Sequence, residues 1–117
     1  MDRPVLLHNP KCSKSRGALA LLEARDVEVE VVRYLDTPPG AEELARIVAA
    51  LDTEPASLVR TGEAQFRELG LTKADVVTAD VVVALLAAHP RLIERPVLLV
   101  GDRAVIGRPP ERVLDLL

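Results

Sequence analysis

Apolar positions along the chain follow two different periods. Val5-Leu6-Leu7 is a short continuous apolar run that ends at the polar stretch His8-Asn9-Pro10-Lys11, the pattern of a buried strand followed by a tight loop. From Ser13 onward Ala18, Leu19 and Leu22 recur at helical spacing as far as about Ala24. Val27, Val29 and Val31 then alternate with Glu28 and Glu30, which is the period of a strand. The opening unit is therefore predicted as strand, helix, strand, a crossover that joins parallel strands in a right-handed sense.

Thr37-Pro38-Pro39-Gly40 interrupts the chain, and Leu44, Ile47, Val48 and Leu51 mark one face of the next helix. Short helices are expected at Pro55–Val59 and at Glu63–Leu69, the second closed by Gly70. Thr78 suits the N-cap of a helix whose buried face is Val81, Val82, Leu85 and Leu86, and His89-Pro90 ends it. Leu92 and Ile93 are expected in the core. Pro96–Val100 and Arg103–Ile106 read as strands joined by Gly101-Asp102, a glycine-first pair suited to a type II′ hairpin. Arg108-Pro109-Pro110 opens a last helix whose Val113, Leu114 and Leu117 are expected to seal the sheet.

This order describes an α/β domain over residues 1–117, with a four-stranded mixed sheet and helices packed on it. It is a thioredoxin-like or glutaredoxin-like plan into which a helical block, about residues 42–92, is inserted.

Composition narrows the function. The chain has 117 residues, 49% of them hydrophobic, enough for one core. Two aromatics, Tyr34 and Phe66, and a net charge of -3 offer neither a stacking platform nor a pull toward phosphate backbones, so no nucleic-acid ligand is expected. The first residues hold too short an apolar run for a signal peptide and no stretch approaches a membrane span; a cytoplasmic protein with no membrane partner is the expectation. One cysteine, Cys12, excludes an internal disulfide, and no Cys/His cluster has metal-ligand spacing. Redox chemistry would need a thiol from elsewhere.

Cys12 itself follows the first loop and opens the first helix. A free cysteine is only about 3% thiolate at pH 7. Unpaired N–H groups and the helix dipole favour the anion at such a position, and Lys11, Lys14, Arg16 and the Ser15 hydroxyl stand near in sequence. A buried structural cysteine is the competing reading. His8 could pair with the thiolate as an imidazolium or serve as hydrogen-bonded scaffold, and the residues alone leave both open. A phosphatase loop needs an arginine six positions after its cysteine, where this chain has Ala18. Cys12 with Ser15 also has the spacing of a one-cysteine glutaredoxin.

The stretch His8-Asn9-Pro10-Lys11-Cys12-Ser13-Lys14-Ser15-Arg16 resembles the active-site signature of the glutaredoxin-coupled arsenate reductases. Tyr34-Leu35-Asp36-Thr37-Pro38-Pro39, Leu58-Val59-Arg60, Phe66-Arg67-Glu68-Leu69-Gly70-Leu71, His89-Pro90, Arg95-Pro96 and Ile106-Gly107-Arg108-Pro109 extend the resemblance in the family's order. It implies that Cys12 is the nucleophile, that His8 helps depress its pKa, and that Arg60, Arg95 and Arg108 bind the oxyanion. Ser15, Arg16 and Pro96 take supporting places, and the Arg95-Pro96 bond is expected to be cis.

The implied reaction reduces arsenate to arsenite through a thiol-arsenate adduct. Glutathione is its co-substrate, glutaredoxin its protein partner, and no cofactor is bound. A monomer is expected. The chain stops at Leu117, before the charged tail of many members, which places it with a shorter branch. Two other readings compete: a regulator similar to the Spx proteins, which bind RNA polymerase and usually carry a Cys-x-x-Cys switch where this chain has Asn9, and a one-cysteine oxidoreductase that exchanges glutathione on another substrate.

Overall fold

The computed structural model describes residues 3–117. Four strands, β1 (Val5–His8), β2 (Glu30–Arg33), β3 (Val97–Val100) and β4 (Arg103–Ile106), form one sheet in the order β2-β1-β3-β4. β1 pairs parallel with β2 and antiparallel with β3, and β3 pairs antiparallel with β4. This is the mixed four-stranded sheet that the element order implied.

The apolar runs in β1 and β3 are continuous because both faces of the central strands are covered. Leu6 and Leu98 point to one side, where α1 (Ser13–Ala24) contributes Ala18 and Leu22 and the C-terminal segment contributes Val113. Leu7 and Val97 point to the other. There α2 (Ala41–Ala50) and α4 (Ala79–Ala88) pack on each other and bury Leu44, Ile47, Val82 and Leu86. Between β2 and β3 the chain also forms α3 (Ala64–Glu68) and 3-10 turns at Pro55–Leu58, Lys73–Asp75 and Pro90–Leu92.

Local signals account for the element ends. Gly70 takes a φ of 72° after α3, Thr78 Oγ accepts from the N–H of Val81 at the start of α4, and His89 caps α4 before Pro90. Gly101 has a φ of 60° while Asp102 is not among the residues with positive φ, which is the type II′ geometry. Arg95-Pro96 is cis, as the resemblance implied, and Arg108-Pro109 is cis as well.

Three expectations are corrected. Strand pairing starts at Glu30, opposite Val5, and not at Val27; Val27 and Val29 pack beside α1 without entering the sheet ladder, and Val31 is exposed on an edge strand. Val81 lies in the first turn of α4 and is exposed. The last segment, Pro110–Leu116, is a 3-10 helix. With three residues per turn, Val113 and Leu116 share its inner face, so Leu116 packs and Leu117 is exposed. No helix among the described residues is long and apolar enough to cross a membrane.

Candidate active site

The loop between β1 and α1 is fixed by its own polar groups. The Cys12 N–H donates to Asn9 O at 3.0 Å, the Lys11 N–H to Asn9 Oδ1 at 3.0 Å, and the Arg16 guanidinium to Pro10 O at 2.9 Å. Beneath it, buried His8 Nδ1 and buried Ser15 Oγ are 2.6 Å apart, and Ser15 Oγ also accepts from the Asn9 N–H at 3.0 Å. One hydroxyl thus ties the end of β1 to the first turn of α1.

Cys12 is the N-cap of α1, with extended backbone at φ -97° and ψ 124°. Its sulfur therefore faces the unpaired N–H groups of the first turn. Partial burial pushes the thiol pKa up. The Ser15 N–H, the Arg95 charge, the Lys14 N–H and the Arg108 charge oppose that push and outweigh it, so the thiol is held below its ordinary value. The help from Ser15 comes through its backbone, because its hydroxyl is engaged with His8 and Asn9. The cations that act on the sulfur are Arg95 and Arg108; Lys11, Lys14 and Arg16, which are adjacent in sequence, are exposed.

His8 meets Ser15 and not Cys12. Burial, with the charges of Arg33 and Arg16, lowers its pKa and so favours the neutral imidazole. The imidazolium alternative is thereby disfavoured, and the scaffold alternative describes what the ring touches.

The three arginines converge from three places. Arg60 follows the 3-10 turn Pro55–Leu58, Arg95 precedes β3, and Arg108 follows β4. An isolated antiparallel bridge between Val59 and Ile93, with Arg60 N–H donating to Leu92 O at 2.8 Å and Glu94 N–H to Leu58 O at 2.7 Å, draws the first two segments together. Arg108 Nη2 is 4.0 Å from Cys12 Sγ, and its Nε donates to Arg95 O at 2.9 Å. Arg60, Glu63, Glu94, Arg95 and Arg108 all line one open cavity of about 240 Å³. A larger hollow of about 660 Å³ beside Glu54, Ser57 and Lys73 holds no thiol or imidazole.

Three participants had no assigned role in the sequence reading. Glu94 Oε1 is 2.9 Å from Arg108 Nε and 3.6 Å from Arg95 Nη1, and Glu63 Oε2 is 3.0 Å from Arg60 Nη2. Tyr34 is 1% exposed, and burial pushes its phenol up against the opposing charges of Arg95 and Arg60. Glu94 adjoins Arg95 within a run that enters the core, the signal that could have marked it.

Arg95 Nε is buried without a hydrogen-bond partner. A buried unpaired donor is costly, and here it belongs to a guanidinium beside a thiolate-favouring sulfur. Guanidinium donors of this kind are able to hold a tetrahedral oxyanion beside a thiolate. Among the described residues no group of three or more His, Cys, Asp or Glu side chains gathers to hold a metal.

Comparison with known proteins identifies the family. The model of the ArsC family matches residues 7–116. An arsenate reductase of Neisseria meningitidis is 43% identical over 113 residues, covering 96% of each chain. An arsenate reductase of Escherichia coli is 34% identical over 117 residues, all of this chain and 82% of the relative. The solved structure of an arsenate reductase from Vibrio cholerae superposes with a TM-score of 0.89 at 44% identity, over 98% of both chains. With its fold and nearly its whole length in common with these proteins, the chain belongs to the ArsC family.

Proposed function

We propose that this protein is an arsenate reductase that uses Cys12 as nucleophile and takes its electrons from glutathione and glutaredoxin. The observation that carries the reading is the pairing of a depressed Cys12 thiol with Arg95 and Arg108, the first holding an unpartnered Nε and the second a nitrogen 4.0 Å from the sulfur.

The Cys12 thiolate attacks arsenic(V), an S–As bond forms, and one oxygen leaves as hydroxide or water. Guanidinium groups offset the charge of the remaining oxygens throughout. Glutathione then attacks the adduct and displaces a second oxygen. Glutaredoxin's thiolate takes the glutathione sulfur as a mixed disulfide, and the electron pair of the S–As bond passes to arsenic, which becomes arsenic(III). Water cleaves the remaining Cys12–arsenic bond, releasing arsenite and the thiol. One cysteine suffices in this chain because both electrons come from outside thiols.

The test is arsenate-dependent NADPH consumption in the presence of glutathione, glutaredoxin and glutathione reductase. Turnover is expected, with loss of activity in Cys12→Ser and in Arg95→Ala. Absence of turnover, with a Cys12 that still reacts rapidly with a thiol probe at neutral pH, would overturn the reading. Undiminished turnover without glutaredoxin would overturn the reductant.

A further inference from the structure

Glu94 places a carboxylate inside a pocket whose arginines suit an anion. It stands on the Glu94–Leu58 backbone hydrogen bond of 2.7 Å, and its Oε1 contacts Arg108 Nε at 2.9 Å and Arg95 Nη1 at 3.6 Å. Its side chain is 22% exposed, so water screens it only in part. Glu63 adds a second carboxylate on Arg60. Three guanidinium charges face two carboxylates in the cavity lining, leaving a single positive charge.

Such a pocket does not treat all tetrahedral oxyanions alike. An ionised carboxylate only accepts hydrogen bonds. An oxyanion that keeps an O–H, as arsenate and phosphate do at neutral pH, can donate to it while its other oxygens accept from the guanidinium groups. Sulfate has no proton to give, so its oxygens would face the carboxylate lone pairs across a partly desolvated gap. The carboxylate is then the repulsive element that specificity requires.

We infer that Glu94 is a specificity residue that admits oxyanions bearing a proton and rejects sulfate. This rests on reading the cavity as the oxyanion site of the proposed reductase, but concerns binding and not turnover. A site that hydrogen-bonds a ligand hydroxyl can discriminate by several orders of magnitude against an analogue lacking it. In this half-open cavity the expected ratio is about 100-fold or more.

The experiment measures how arsenate, phosphate and sulfate protect Cys12 from alkylation in the full chain, with phosphate and sulfate as the decisive pair because neither is reduced. In the natural protein phosphate is expected to protect at concentrations about 100-fold below those of sulfate. In Glu94→Gln, whose amide can donate, sulfate affinity should rise about tenfold or more and the ratio should shrink. Should Glu94→Gln not fold, Glu94→Asp keeps the charge and should still exclude sulfate. Equal protection by phosphate and sulfate in the natural protein overturns the inference, as does a ratio unchanged in Glu94→Gln or sulfate binding gained in Glu94→Asp. No protection by any oxyanion overturns it together with the oxyanion site. Selective protection without arsenate turnover sinks the reductase reading alone.

Discussion

Arg108 Nη2 lies 4.0 Å from Cys12 Sγ although the two residues are 96 positions apart. The contact joins the loop after β1 to the loop after β4, so the state of the thiol depends on how the far end of the chain is held. Alkylation of Cys12 as a function of pH should show a midpoint below that of free cysteine, because thiolate is the reacting form. Arg95→Ala and Arg108→Ala should each move the midpoint upward, since both charges lower the thiol pKa. An unmoved midpoint would mean that the backbone N–H groups hold the thiolate alone.

Gly107 has no room for a side chain. A Cβ there would come 2.8 Å from Pro96 Cγ and 3.1 Å from Val113 Cγ1, and a proline ring yields little. Gly107→Ala is expected to destabilise the fold by about 1–3 kcal/mol in urea unfolding, the usual cost of overpacking. The Gly107 N–H also donates to Pro96 O at 2.8 Å, so displacement here should disturb Arg108 and slow Cys12 alkylation as well. A stable variant with unchanged thiol reactivity would contradict this packing.

Ser15 is fully buried and satisfies two groups at once, His8 Nδ1 and the Asn9 N–H. Ser15→Ala leaves both unpaired and should cost about 1–3 kcal/mol. The imidazole also links stability to pH. Its folded pKa is depressed, so below its unfolded value of about 6.5 the unfolded chain binds the proton more readily. His8 therefore stabilises fully above that value, and its contribution is lost as pH falls toward the folded pKa. Thermal unfolding between about pH 7 and 5 should show this slope, and His8→Gln should flatten it.

Tyr34 is the sole tyrosine, and the chain has no tryptophan, so ultraviolet absorbance reports its ionisation alone. With its phenol pushed up by burial, phenolate should appear only above the pH at which the urea-unfolded protein ionises. The raised pKa means that the stabilisation is present below the unfolded value and is lost as pH climbs through the folded one. Coincident titrations of folded and unfolded protein would show that the ring is not buried.

Strand and helix positions were legible where period and punctuation agreed. The apolar triplet Val5-Leu6-Leu7, the pair Gly101-Asp102 and the stops at Gly70 and Pro90 each carry a local rule that the structure obeys. Where the alternation of Val27, Val29 and Val31 misled, register intervened: the parallel partner begins at Val5, so the ladder begins at Glu30. Leu117 was misplaced because a 3-10 helix turns faster than the α-helical period.

The place of Cys12 between a polar loop and a helix was readable in the sequence, and the structure puts it at the N-cap of α1. Its cationic neighbours were not, since Lys11, Lys14 and Arg16 are near in sequence while Arg95 and Arg108 are near in space. Carboxylates such as Glu63 and Glu94 look like ordinary surface charges until folding sets them against the arginines.

The bridge between Val59 and Ile93 has one more effect. Residues 61–91 leave and return through adjacent backbone positions, so they form an excursion whose mouth is already closed. Lengthening such an excursion costs little, because closure entropy grows only slowly with length. Exposed corners such as Gly70 and Thr72 could thus take on inserted residues while Arg60 and Arg95 kept their spacing, so that length can change at these corners without retuning the chemistry beside them.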